Sequence, residues 1–420
     1  MLIHSASQLL TIPGGPQRGT DLGTLGIIPD GALLVRDGLI ADAGNTHDLL
    51  PRYPGEDTLD ISGHVLMPGF VDPHTHLVWA GDRAAEFEMR LQGKTYLEIM
   101  EAGGGIQSTV NTTRAASDEH LLAEASKRAG LMLALGTTTA EAKSGYGLQA
   151  EEELRLMDIL MALRHEGPLE IIPAFLGAHA VPPEFKANPD EYVSIVCSQM
   201  LPELKNHWES AYPGQPLPFV DVFCDKGAFD LDQSRRILKT ARSLGFPLKI
   251  HADEFKNLGG AAMAAELGAI SADHLVVSSN KDIKKLASSG TAAVSLPCTP
   301  FGLGESEFTP AREIIEAGGL FALASDLNPG TAWCGNMQFV MALACRYMRI
   351  TPAEAVAAAT INAAAAIGMQ EHVGSIEPGK QADLVILEAD DYRHLAYRFG
   401  TNLVRAVFKK GELCAGKLPG

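Results

Sequence analysis

Two histidines one residue apart, His74 and His76, follow an apolar run over residues 65–72. Side chains at i and i+2 of a strand share a face, so both imidazoles leave the end of such a strand side by side, and neutral imidazole is a common metal ligand. A His-x-His pair is half a metal site. Three later apolar runs also end in ligand-type residues: His251 after residues 246–250, His274 after 269–273, and Asp326 after 320–325. His74, His76, His251 and Asp326 together offer three imidazoles and a carboxylate, a set suited to zinc or iron and not to magnesium. The expectation is one such ion per subunit with a coordination position left for water. At the end of the next strand, His274 is expected near that water, as proton acceptor or as the group that holds a developing oxyanion. Glu254, three residues beyond His251, is placed to hydrogen-bond a substrate N–H or to shuttle a proton. The plainer alternatives are a turn cap for Asp326, a satisfied barrel histidine for His274 and a solvated loop carboxylate for Glu254.

Ligands at the carboxyl ends of several successive strands imply a parallel α/β barrel, whose active-site face is built in that way. Eight apolar runs fit it, at residues 65–72, 136–143, 171–179, 219–225, 247–253, 269–275, 292–297 and 321–326. Helical patterns separate them at 118–135, 151–165, 231–244 and 280–288, the first opened by Ser117-Asp118-Glu119. The Ala-rich stretch 353–369 reads as a packed helix started by Thr351-Pro352 with Glu354 at its third position. Short runs and Asp-Gly turns dominate residues 1–64, and strand patterns return at 382–387 and 404–412. Neither end is long enough to bury its own core, so the two are expected to pair. The fold class is therefore a (β/α)8 barrel over residues 65–370 with a small β-sandwich from residues 1–64 and 371–420. Two insertions stand out. Residues 78–117 hold a glycine triplet at 103–105, and residues 181–217 suggest a surface helix among Pro-rich connectors.

Composition narrows the partners. A formal net charge of −17 without a basic cluster repels nucleic acid. No run reaches about 18 uninterrupted apolar residues, so no membrane span is expected. The amino terminus lacks a basic and apolar leader, and the six cysteines include no Cys-x-x-Cys pair. A reducing cytoplasm is the expected setting.

Residues 68–76, Pro-Gly-Phe-Val-Asp-Pro-His-Thr-His, resemble the first-strand signature of the amidohydrolase superfamily, and residues 374–385 resemble its return into the terminal sandwich. The resemblance covers almost the whole chain. Four further pieces in order, 76–83, 141–148, 175–182 and 325–330, resemble a narrower branch, the hydrolases that open a cyclic amide during histidine degradation. That branch implies hydrolysis of the ring amide of 4-imidazolone-5-propanoate to N-formimidoyl-L-glutamate. Motif by motif, it implies that Arg83, Tyr146 and His179 hold the substrate. Glu254 would hold the ring, and Asn328, Gly330 and Thr331 the propanoate end or the product. It also implies a homodimer. A small substrate with a carboxylate tail agrees with Arg83, the nearest arginine after the histidine pair, although an ion pair with Glu86 or Glu88 is its ordinary alternative. Two-metal relatives bridge their ions with a carboxylated lysine. Lys143 stands at a strand end here, in the one-metal pattern, and reads as an uncarboxylated structural or substrate-facing residue. The rival readings are a one-metal deaminase, which would release ammonia, and a metal-dependent binding protein on the same barrel.

Overall fold

In the computed structural model of the chain, residues 1–94, 98 and 103–419 are described. Five strands precede the histidine pair: β1 (Leu2–Leu10), β2 (Ile27–Arg36), β3 (Leu39–Asn45), β4 (Thr58–Asp60) and β5 (Val65–Pro68). Gly69 then passes the chain from one sheet to another. Its amide donates to Asp383 O at 2.9 Å in the terminal sheet, whereas the next amide, of Phe70, donates to Gly136 O at 2.9 Å in the barrel. A side chain at position 69 would strike Thr138, so the crossing requires glycine. The single strand expected over residues 65–72 is therefore corrected to two. Leu66 and Met67 pair antiparallel with Ile386 and Val385 in the terminal sheet, and the first barrel strand, β6, is Phe70–Thr75.

The barrel continues through β7 (Thr137–Lys143), β8 (Glu170–Ala178), β9 (Phe219–Cys224), β10 (Lys249–Ala252), β11 (Ser271–His274), β12 (Ala292–Ser295) and β13 (Leu320–Leu323). Each pairs in parallel with the next in sequence, as β-helix-β connections require. Closure between β13 and β6 occurs past the end of β13. There Asp326 N donates to His74 O at 3.1 Å and His76 N donates to Leu327 O at 2.9 Å. The seam that shuts the barrel thus sets Asp326 beside the two histidines.

Three late strands, β14 (Leu384–Leu387), β15 (Val404–Lys409) and β16 (Glu412–Gly416), complete the terminal sheet in the order β16-β15-β14-β5-β1-β2-β3, with β4 on β1. Its pairs are antiparallel except β1 with β4 and with β5. Ile40, on the strand at one edge of the path, and Phe408, next to the other edge, share a single apolar cluster with Leu9, Leu33, Leu66 and Ile386. The small sandwich is thus one sheet curled over its own core.

Helix starts follow local chemistry. The helix Asp118–Ala134 is capped by Ser117, whose side chain accepts from His120 N, and Pro352–Ala358 opens with a Thr351/Glu354 capping box. The Ala-rich stretch is two short helices and not one. Pro352–Ala358 and Ile361–Ala365 are separated at Thr360, and the Asn362 side chain accepts from Gln17 N at 2.7 Å and donates to Phe321 O at 2.7 Å. The insertion after β8 holds two surface helices where one was expected. Its helices Pro189–Ile195 and Leu201–Ala211, joined by a π-helical turn, bury Tyr192, Val193, Leu204 and Trp208. No helix among the described residues is long and apolar enough to cross a membrane. Of the stretch 100–106, only the glycines 103–105 and Ile106 lie within the described residues.

Candidate metal centre and active site

Lys143 on β7, Asp221 on β9 and Asp273 on β11 lie on strands that are not neighbours, yet their charged ends meet. They do so across the barrel axis, with Glu141, all fully or almost fully buried. Lys143 Nζ donates to Glu141 Oε1 at 2.6 Å and to Asp221 Oδ2 at 2.8 Å, and stands 3.9 Å from Asp273 Oδ2. Burial opposes a charge there, but Asp221, Glu141 and Asp273 outweigh it and hold the ammonium above its ordinary range. Lys249 Nζ closes the floor, donating to Pro73 O at 3.0 Å and lying 3.7 Å from Asp273 Oδ2.

Above this floor the two aspartates face histidines. Asp273 Oδ2 is 2.7 Å from His74 Nδ1, and Asp221 Oδ2 is 3.1 Å from His251 Nδ1. The hydrogen bond between Asp273 and His74 assigns that ring's proton to Nδ1 and leaves its Nε2 as a lone-pair donor, whereas His251 Nδ1 faces Asp221 without a hydrogen bond. Neither His74 Nε2 nor His251 Nε2 has a hydrogen-bond partner, although both are buried. His76 Nε2 and His74 Nε2 approach Asp326 Oδ1 at 3.6 and 3.5 Å. Ligand-type atoms of His74, His76 and Asp326 lie within 4.8 Å of one another, as do those of His74, His251 and His274. The five residues singled out in the sequence for the ion and its water therefore converge on one spot, with His74 common to both triads.

Backbone conformation contributes to the aim. His274, the last residue of β11, and Asp326, three residues past β13, have φ of 79° and 56°, a left-handed state costing roughly 1–3 kcal/mol for a non-glycine residue. The Asp326 carboxylate is oriented by Thr299, whose hydroxyl donates to Oδ2. Burial raises Asp326 to about 6. Burial, followed by positively charged neighbours, pushes His74 well below the ordinary imidazole range, and burial does the same to His76 and His274. Unpartnered, neutral and buried nitrogens around a carboxylate fit a transition-metal ion.

The residues implied for substrate surround this spot. His179 stacks on His76 with ring centroids 5.0 Å apart and holds its Nδ1 2.9 Å from Gly145 O, and Tyr146 lies 5.3 Å from His179. Glu254 Oε2 is 3.6 Å from His274 Nε2, and burial, then Asp326 and Asp225, raise its carboxyl well above the usual range. Arg83 forms an ion pair with Glu86 at 2.9 Å while its other amino group touches Gly330, where any side chain would collide with it. Asn328 is differently engaged. Its Oδ1 accepts from Gly330 N at 2.7 Å and Thr331 N at 2.9 Å, and its Nδ2 donates to Asp326 O at 2.7 Å, so its amide braces the loop from within.

Sequence reasoning missed Asp221, Asp273, Glu141 and Lys249. Their signal was present as charged residues inside apolar strand runs, such as Asp273 directly before His274, where burial demands a partner.

The amidohydrolase family model matches residues 229–414. The imidazolonepropionase of Herpetosiphon aurantiacus is 49% identical over 412 residues, covering 98% of this chain and 96% of that protein. Its counterpart in Chloroflexus aggregans is 49% identical over 417 residues, covering 98% of each. Among solved structures, a zinc-bound adenosine deaminase from Xanthomonas campestris superposes with a TM-score of 0.70 at 20% identity, over 99% of this chain and 92% of that one. A guanine deaminase from Bradyrhizobium japonicum gives 0.67 at 16% identity over 99% of each. At those identities the structures share the fold, while the sequence relatives share far more.

Proposed function

The chain belongs to the imidazolonepropionases within the amidohydrolases, and from that premise we propose how its residues divide the work of opening the imidazolone ring. The reaction is hydrolysis of imidazolonepropionate in histidine degradation. Water adds at the ring carbonyl, the C–N bond breaks, and the linear product is N-formimidoyl-L-glutamate. The observation that supports the assignment of roles is that His74 belongs to two clusters of ligand-type atoms, one with His76 and Asp326 at the barrel seam and one with His251 and His274, one loop away from the Arg83–Gly330 contact.

His74, His76, His251 and Asp326 would hold one zinc or iron ion, both of which accept this donor set. When bound, the ion supplies Lewis acidity for the carbonyl and for water at neutral pH. Asp326, held at Oδ2 by Thr299, takes the proton of the attacking water through Oδ1. Glu254, whose carboxyl burial raises well above the usual range, donates a proton to the ring nitrogen as it leaves and is restored by the proton that Asp326 took from the water, with neutral His274 lying 3.6 Å from its Oε2. Tyr146 and His179 line the ring's place beside His76, and Arg83 pairs with the propanoate carboxylate. Gly330 gives Arg83 room, and Asn328 and Thr331 keep that loop in shape.

The test is loss of imidazolone ultraviolet absorbance with purified protein, run beside an ammonia assay. Absorbance lost without ammonia supports the hydrolase. Ammonia release would move the chain to deamination, and no turnover by metal-loaded protein would remove this substrate.

A further inference from the structure

We propose that Arg90 is a second guanidinium for the substrate's carboxylate tail and closes, with Arg83, a two-arginine clamp over Gly330; this rests on the reading that Arg83 takes that carboxylate. The helix Ala84–Leu91 begins directly after Arg83 and carries Arg90 two turns on, so the two side chains rise from the same face. They arrive at the same residue. Arg83 Nη1 fills the space that a Cβ on Gly330 would take, and Arg90 Nη2 donates to Gly330 O at 3.3 Å. Glu86 lies between them on the helix, but its carboxylate is engaged elsewhere: Oε2 by Arg83 at 2.9 Å and Oε1 by Gly105 N at 3.0 Å. Two guanidiniums and one carboxylate leave one positive charge uncompensated within this trio.

That excess has a physical signature. Burial first and Arg83 second push the Arg90 guanidinium below its ordinary range, only partly countered by Glu86. Half-burying two like charges against one loop is unfavourable unless an anion joins them. Among the described residues, Arg90 donates only to Gly330 O, which leaves most of its five N–H groups for a ligand. Gly330 does not supply that anion, because the carbonyl it offers Arg90 carries no net charge. A carboxylate lying over Gly330 would accept from both arginines in the fork geometry that guanidinium provides, and would relieve their repulsion. The clamp would then select substrates that carry a carboxylate tail over neutral imidazolones of the same size.

The experiment compares the metal-loaded wild type with Arg90→Gln, Arg90→Lys and Arg83→Gln. Arg90→Gln keeps a donor for Gly330 O and removes the charge, so a merely structural role survives it. Two non-hydrolysable probes of matched size, imidazole-4-propanoate and 4-propylimidazole, are used as competitive inhibitors of imidazolonepropionate turnover. The expected result for Arg90→Gln is KM and the inhibition constant of imidazole-4-propanoate raised about ten- to hundredfold, the loss of one charge-assisted hydrogen bond. The inhibition constant of 4-propylimidazole and kcat stay within about twofold, and Arg90→Lys falls between. The proposal is overturned if Arg90→Gln leaves both inhibition constants unchanged, or weakens both probes alike, while Arg83→Gln selectively weakens the carboxylate probe. If Arg83→Gln itself shows no selectivity between the probes, the Arg83 reading fails, and the clamp with it.

Discussion

Lys143 Nζ lies 2.8 Å from Asp221 Oδ2, and that same oxygen faces His251 Nδ1 at 3.1 Å. One buried oxygen thus links the ammonium under the barrel to a histidine of the candidate metal centre. The ammonium is also the only compensating charge within hydrogen-bond reach of Glu141, at 2.6 Å, among the described residues. Replacing it by the isosteric Lys143→Met strands buried carboxylates. The expected loss of stability is about 3–5 kcal/mol, the cost of removing one partner of a buried ion pair. Denaturant unfolding of the metal-free protein measures it, and a change below about 0.5 kcal/mol would contradict the network. The same geometry requires Lys143 to be unmodified, since a carbamate would set a fourth anion among three carboxylates. Intact mass of native-purified protein should show no added carbon dioxide.

Asp273 sets the His74 tautomer from 2.7 Å. Asp273→Asn keeps the shape and removes the charge that fixes the proton on Nδ1. Metal affinity is expected to fall about 10- to 100-fold, as for other carboxylates behind ligating histidines. Competition with a chromogenic chelator reads this directly, and an unchanged affinity would separate Asp273 from the ion.

Gly330 makes space for Arg83. In Gly330→Ala the new methyl group occupies the position of an Arg83 amino group, so the guanidinium must turn away from the loop. KM for imidazolonepropionate should rise by about tenfold or more with kcat less affected, the pattern of lost uniform binding. Steady-state kinetics with an unchanged melting temperature would show that the effect lies in the site.

The barrel was legible because its strands end in chemistry. His74, His251, His274 and Asp326 each close an apolar run, and all meet at one face of the structure. The double-sheet path at Gly69 was not read, because period alone cannot reveal that neighbouring residues pair in different sheets, although Pro68-Gly69 marked the break. Thr360 likewise breaks an Ala-rich helix for a tertiary reason, the pull of Asn362 toward Gln17 and Phe321. Ion pairs across the barrel axis join strands far apart in sequence, so Asp221 and Asp273 announced burial but not their partners. Arg83 was singled out in the sequence and Arg90 was not, because a helix arginine two turns on looks like any solvated charge until its contact with Gly330 O is seen.

The most direct test of the account is a titration of metal-stripped protein with zinc or iron(II) while imidazolonepropionate hydrolysis is followed, with Asp326→Ala in parallel. Activity rising linearly and saturating at about one ion per chain, with no recovery in the variant, is the predicted result. Full activity in the stripped protein, or a requirement for a second ion, would contradict a single metal centre built from His74, His76, His251 and Asp326.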